Sequence, residues 1–156
     1  MRMKMLVLST LALVMSVPLA LIAEAQGYAP RQYYSSWYRH PKKTYYYRTY
    51  YYKPTPTYSG YKHHYVVYVP EKPKYYYYYS PYKKQYWGRC PSDHGGKPVY
   101  SQLAEKDRKA TLDEIPESAF PAPAPLPPLP ESNDGATLDL PPDDLPSTTP
   151  GDSLPN

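Results

Sequence analysis

From Gln26 to Tyr100 the chain has no leucine, isoleucine, methionine or phenylalanine, and all 22 of its tyrosines lie inside that stretch. The only aliphatic side chains there larger than alanine are Val66, Val67, Val69 and Val99. Interiors are built from apolar side chains interlocked at near-crystal density. A tyrosine joins such an interior only when its hydroxyl finds a partner. Prolines interrupt the stretch at Pro30, Pro41, Pro54, Pro56, Pro70, Pro73, Pro81, Pro91 and Pro98. Ordering a residue costs roughly 1–2 kcal/mol of backbone entropy, and this stretch alone offers little aliphatic area to offset it. At 156 residues the chain has room for one domain at most. It reads as mostly intrinsically disordered and of low complexity, with no globular core.

The net charge of +4 conceals a split. Residues 26–100 carry thirteen lysines and arginines against two acids, a net of +11, whereas residues 101–156 carry three against eleven, a net of −8. Such asymmetry points to interaction surfaces. The two blocks have the means to attract each other, within one molecule or between molecules.

The N-terminus reads as an export signal. Met1-Arg2-Met3-Lys4 is a basic start, Leu6 to Ala23 is apolar, and Ala23-Glu24-Ala25 supplies a small-x-small site. Cleavage is expected between Ala25 and Gln26, after a signal-peptide helix over 1–25. The competing reading is a retained anchor, because the apolar run nearly spans a bilayer; Pro18 weakens a spanning helix. The expected address is secreted, periplasmic or cell-surface, with no membrane span after cleavage.

The rest of the chain divides into three zones. Residues 26–86 form a basic tyrosine-rich region, in which Thr44-Tyr-Tyr-Tyr-Arg48 is echoed by Thr49-Tyr-Tyr-Tyr-Lys53 and by Lys74 with Tyr75 to Tyr79. Tyr65 to Val69 is the best local strand candidate, but strict alternation is missing and prolines keep any strand short. Residues 87–120 are of mixed composition. A short frayed helix is expected near 101–110, capped by Ser101, and one turn after Thr111, where Thr111-Leu-Asp-Glu114 matches a capping box and Pro116 stops it. Residues 121–156 read as an acidic, proline-rich disordered tail that starts with a polyproline-II rod.

Chemistry picks out the candidate functional residues. Tyr45, Tyr46, Tyr47, Tyr50, Tyr51, Tyr52 and Tyr75, Tyr76, Tyr77, Tyr78, Tyr79, with Lys83 and Lys84, are nominated for tyrosine crosslinking or for contact with a polyanion by charge and stacking. Cation–π contacts offer a route to self-association. Cys90 is the only cysteine, so in an exported chain it points to a disulfide-linked dimer or a free thiol. His63, His64 and His94 match no structural zinc spacing and read as solvent-exposed histidines. Ala124 to Pro130 lacks the cation that SH3-type recognition uses and reads as a rigid spacer. No catalytic or phosphate-binding motif is present, so neither enzymatic activity nor a cofactor or metal is expected. Nucleic acid is not an expected partner of an exported chain.

Trp87-Gly-Arg-Cys-Pro91, Leu103 to Lys109, Ile115 to Phe120 and Pro141-Pro-Asp-Asp-Leu-Pro146 resemble small exported tyrosine-rich proteins of planctomycete-type bacteria, over about the C-terminal half. In composition alone, the tyrosine block is similar to extensin-like Tyr/Pro/Lys-rich wall proteins, though it lacks their serine–polyproline repeats. These readings lead to one expectation: a secreted, non-enzymatic structural or adhesive protein of the cell envelope or matrix. It would act through tyrosine and cation cohesion, crosslinking and contact with an anionic cell-surface polymer. The alternative is an envelope-binding module centred on 87–120, with flexible tethers on either side.

Overall fold

The tyrosine runs are strands. A computed structural model describes residues 29–147, so the signal segment and its cleavage point at Ala25 and Gln26 lie outside the described residues. The strands are β1 (Gln32–Tyr34), β2 (Tyr38–Arg39), β3 (Tyr46–Tyr52), β4 (Lys62–Tyr68), β5 (Tyr75–Ser80), β6 (Gln85–Pro91), β7 (Val99–Gln102) and β8 (Ala124–Pro125). They form one antiparallel sheet, curved into a half-barrel. Strands β3 to β7 run as a meander, and β8 pairs with β7. β1 and β2 both pair with the free edge of β3, bridged where Ser35 donates to the Thr49 carbonyl at 2.9 Å.

The prolines punctuate this sheet without breaking it. Pro54 and Pro56 lie between β3 and β4, Pro70 and Pro73 between β4 and β5, and Pro81 in the β5–β6 turn. Pro91 is the last residue of β6, where a missing amide costs least. The Gly88 side of β6 carries a register shift opposite Tyr78/Tyr79 that accommodates one extra residue.

Consecutive tyrosines point to opposite faces. One face gathers Tyr50, Tyr52, Val66, Tyr76, Tyr78, Trp87, Cys90 and Tyr100, and is closed by Leu129 and Leu138. Residues 126–144 cross it as a strap. The other face gathers Val67, Tyr77 and Tyr86, closed by Leu103 and Ile115, with Leu112 and Phe120 packed alongside. Each face thus draws most of its aliphatic packing from the C-terminal half, beside Val66 on one and Val67 on the other. The expectation of a disordered, low-complexity chain with no globular core is therefore overturned. Its premise treated residues 26–100 in isolation, and a strand buried on both faces reads as a continuous apolar run instead of alternating.

Buried hydroxyls find partners in the strap. Tyr76 donates to the Asp144 carbonyl at 3.0 Å and Tyr34 to the Asp139 carbonyl at 2.5 Å, with Tyr34 and Tyr78 sharing a 2.8 Å bond. Trp37 Nε1 donates to the Asp144 carbonyl at 2.8 Å. An extended proline-rich backbone has few N–H groups of its own but keeps every carbonyl as an acceptor, which suits a surface of tyrosine donors. The 121–130 stretch is consequently tied to the sheet, at its edge through β8 and over its face from Leu126 on, with Leu129 1% exposed, and is not a free rod.

The helix expected at 101–110 is absent. Ser101 and Gln102 pair with Arg89 and Gly88 in β7, and the Leu103 amide donates to the Trp87 carbonyl at 3.0 Å. Beyond β7 the chain makes a 3-10 turn at Glu105–Asp107, ended by extended Arg108. The turn expected after Thr111 is found as a 3-10 turn at Leu112–Glu114, with Thr111 Oγ1 donating to Glu114 at 2.8 Å.

Part of the charge split is satisfied within the molecule. Arg31 pairs with Asp134 at 2.8 Å, Lys62 with Glu131 and Arg48 with Asp144 at 2.8 Å, all on the strap, where His94 Nε2 also lies 2.9 Å from Asp143 and 3.0 Å from the Pro141 carbonyl. On the other face Arg89 pairs with Glu117, Lys72 with Asp113 at 3.6 Å and Lys83 with Glu105 at 3.9 Å. The last two are solvent-exposed and contribute little. Arg48 and Arg89 are buried and each anchors one cover.

Candidate functional site

The C-terminal half covers the sheet unevenly. On the face of Tyr77 it stops over β5 to β7, and the rings over β1, β3 and β4 stay partly open. Strand alternation puts Tyr47 and Tyr51 of β3 and His63 and Tyr65 of β4 on this same side. They join a continuous series of ring contacts. Tyr61 meets Tyr33 edge-on at 4.9 Å, and Tyr33 stacks on Tyr51 at 4.7 Å. Tyr51 touches His63 at 6.4 Å, His63 touches Tyr65 at 5.4 Å, and Tyr65 meets Tyr47 at 5.8 Å. Tyr47 contacts His40 at 6.3 Å, and His40 contacts Tyr45 at 4.9 Å. Along β3 this platform runs from Tyr45 to Tyr51, about 20 Å at the usual rise per residue.

At the Tyr45 end the platform deepens into a groove of about 520 Å³, lined by His40, Tyr45, Tyr47, Tyr65, Tyr79 and Tyr86. Burial and neighbouring phenols push the hydroxyls of Tyr45, Tyr65 and Tyr33 above their ordinary value, so all remain neutral donors at physiological pH. Such a groove, mostly aromatic with a few polar edges, has the make-up of a ligand surface.

The rim is cationic. Residues 29–70 contain seven lysines and arginines and no acid. Arg31, Arg48 and Lys62 are in ion pairs; Arg39, Lys42, Lys43 and Lys53 have no carboxylate partner among the described residues. Lys42 and Lys43 are exposed beside groove residue Pro41, and Lys53 Nζ sits 4.9 Å from the Tyr61 ring. Lys109 stands exposed next to Ala110 on the opposite lip.

The nominated tyrosines divide by burial. Tyr50, Tyr52, Tyr76, Tyr77 and Tyr78 are buried core residues, while Tyr45, Tyr46, Tyr47, Tyr51, Tyr75 and Tyr79 are half-buried. Tyr33, Tyr58 and Tyr82 are more exposed and lie outside the nominated set. So do Tyr61, His63, Tyr65 and His40, which complete the platform. The odd-numbered positions of β3 and β4 point to Tyr65 and His63 once the two strands are aligned. Lys83 and Lys84 are exposed in the β5–β6 turn, away from the groove.

Cys90 is fully buried beneath the strap, and burial pushes its thiol up to about 12. An intermolecular disulfide there requires the strap face to open. His64 is also buried, contrary to its reading as a solvent-exposed residue: it is 6% exposed, and burial together with nearby His63, Lys62 and Lys83 holds its imidazole down to about 4. Among the described residues no three metal-ligating side chains gather, and no helix is long and apolar enough to cross a membrane. Segment 87–120 supplies β6, β7 and the cover, with Leu103, Ile115 and Phe120 turned inward onto the sheet. Compared with known proteins, the chain matches no family model, no curated sequence and no solved structure.

Proposed function

We propose that this chain is an exported, non-enzymatic binding module of the cell envelope or matrix, whose tyrosine platform adheres to an extended anionic glycan. The observation that carries the reading is the open ladder from Tyr61 to Tyr45, set in a stretch with seven cations and no acid. An aromatic face is the negative side of the ring's quadrupole, so it attracts C–H hydrogens and disfavours anions. A sugar ring laid on Tyr47 or Tyr65 presents such C–H groups, and the hydroxyls at the ring edges exchange hydrogen bonds with the phenols. Negative groups along the polymer then fall to Lys42, Lys43, Arg39 and Lys53 on the rim. These contacts steer association and make it salt-dependent. Adhesion arises from a folded surface in this account, and the charge blocks serve chiefly to close the fold.

Affinity electrophoresis through gels containing polygalacturonate tests this, with neutral cellulose-derived polymer as the comparison. The wild-type chain is expected to be retarded by the anionic polymer, more so at low salt. Tyr47→Ala with Tyr65→Ala weakens binding by about tenfold or more, two aromatic contacts of order 1 kcal/mol each. Lys42→Glu with Lys43→Glu weakens it and flattens the salt dependence. Absence of retardation in every anionic glycan tried, or equal retardation of folded wild type and both variants, would remove the proposal.

A further inference from the structure

The tyrosines nominated for crosslinking are all buried or half-buried, so the fold moves that chemistry elsewhere. Tyr82 is 53% exposed, against 38% for Tyr33 and 36% for Tyr58, the other two exposed tyrosines among the described residues. It stands in the turn at 81–84, between Ser80 and Gln85, which pair across β5 and β6. Pro81 fixes its own φ, the Lys83 amide donates to Ser80 Oγ at 3.3 Å, and Lys84 closes the turn in the left-handed region at φ 52°. A turn held in this way presents Tyr82 to solvent in a defined place.

Of these three tyrosines, Tyr82 is the one whose hydroxyl faces a base. The His63 amide donates to its oxygen at 3.2 Å, and His63 Nδ1 lies 3.5 Å away. A phenol has one hydrogen to give, and with the imidazole proton on Nε2, Nδ1 is the acceptor in reach. The ring of Tyr82 also touches those of His63 at 5.7 Å and His64 at 6.0 Å, which keeps the base beside the phenol. The hydroxyls of Tyr33 and Tyr58 have no hydrogen-bond partner among the described residues. Removing an electron from a phenol makes its O–H strongly acidic. Oxidation is therefore easiest where a positioned base already waits for the proton.

We infer that Tyr82 is a site of oxidative tyrosine coupling between copies of this chain, driven by hydrogen peroxide through a peroxidase, with His63 receiving the phenolic proton. Each Tyr82 gives one electron to the oxidant and its hydroxyl proton to His63 Nδ1, which leaves a neutral phenoxyl radical. Two such radicals, one from each copy, join through ring carbons ortho to oxygen, and the hydrogens on those carbons pass to the oxygens. The two electrons and two protons removed reduce one peroxide to two waters. Tyr82 itself is outside the platform, so the coupling does not depend on glycan binding.

The test exposes the full chain to a peroxidase with hydrogen peroxide and reads the products on reducing gels and by mass mapping of the tyrosine-bearing peptides. A covalent dimer joined from Tyr82 to Tyr82 is expected as the main product. Tyr82→Phe should lose it, and Tyr58→Phe should couple as the wild type does. Excess N-acetyltyrosine should replace the dimer with a monomer labelled at Tyr82. His63→Gln should slow coupling about tenfold, because water then has to accept the proton. Added imidazole should restore that rate relative to wild type in the same buffer, a rescue that a merely structural loss does not show. A dimer that persists in Tyr82→Phe, coupling spread evenly over Tyr33, Tyr58 and Tyr82, an unchanged rate in His63→Gln, or no coupling of the folded wild type would overturn the inference.

Discussion

Arg48 and Asp144 are 96 residues apart in sequence and close a two-point ion pair, Nη1 to Oδ1 at 2.8 Å and Nη2 to Oδ2 at 3.0 Å. Arg48 is 3% exposed, gives Nε to the Ser35 carbonyl at 3.0 Å, and lies 4.5 Å over the Trp37 ring. Arg89 repeats the device on the other face, with Glu117 as its acid and its guanidinium 3.6 Å from Tyr75 and 4.0 Å from Phe120. One buried arginine fastens each cover to the sheet.

Removing the acid of such a pair strands a buried cation. Asp144→Ala should destabilise the fold by roughly 2 kcal/mol, below the 3–5 kcal/mol of a fully buried pair because half of the Asp144 side chain faces solvent. Asp113→Ala, from an exposed pair with Lys72, should stay within about 0.5 kcal/mol. Urea denaturation of the two variants checks the contrast, and equal effects would contradict it.

Gly88 and Tyr100 form a contact with no slack. A Cβ on Gly88 would overlap the ring and hydroxyl of Tyr100. Gly88→Ala should therefore cost about 1–3 kcal/mol through overpacking. The Tyr100 hydroxyl is itself buried without a partner, so Tyr100→Phe should be neutral or stabilising by about 0.5–1 kcal/mol. Thermal melts of the two variants should move in opposite directions or leave Tyr100→Phe unchanged.

Cys90 should be silent in the folded protein. Its thiol is buried and stays protonated through neutral pH. Reaction with an aromatic disulfide reagent at pH 8 should be slow and should accelerate along the urea unfolding curve. Rapid stoichiometric labelling of the native chain, or a disulfide dimer on a non-reducing gel, would contradict this placement.

Stability should fall on acidification in two stages. His64 has its folded pKa lowered from 6.5 to about 4, so folding favours the neutral ring. That contribution is complete above pH 6.5 and is lost as pH falls towards 4, roughly 3 kcal/mol in all. Glu117 and Asp134 are held below the usual carboxylate range, foremost by hydrogen bonds from Arg89 and Arg31. What they contribute is present above the ordinary carboxylate pKa and lost below it. Melting temperature against pH should be flat between about 7 and 8.5, decline below about 6.5, and decline again above about 9, where the buried Cys90 thiol and tyrosine hydroxyls, held up by burial, ionise more readily in the unfolded chain; in a folded His64→Gln variant the acid decline should start only near 4.5.

The strands were half legible. Tyr65 to Val69 falls in and just beyond β4, and the prolines mark the loops. The sheet as a whole was hidden because five consecutive tyrosines in β5 show no period, the signature of a strand covered on both faces. The missing aliphatic packing was in plain view, but at Leu103, Ile115, Leu129 and Leu138, on the far side of the composition boundary. The +11/−8 split signalled pairing, and which acid meets which cation depends on the paths of the two covers. Residue type alone points to the platform. Separating Tyr47 and Tyr51 from Tyr50 and Tyr52 needs strand parity, and adding Tyr33, Tyr61 and His63 needs the β1–β3–β4 register.

Amide hydrogen exchange on the full chain tests most directly whether the tyrosine runs are the covered core of a sheet. Slow exchange is predicted at the paired amides of 46–52, 64–68, 75–80 and 85–91, with the inner strands β4 and β5 slowest and with widely dispersed amide signals. Exchange at free-chain rates throughout 45–91 would contradict the fold and, with it, the platform.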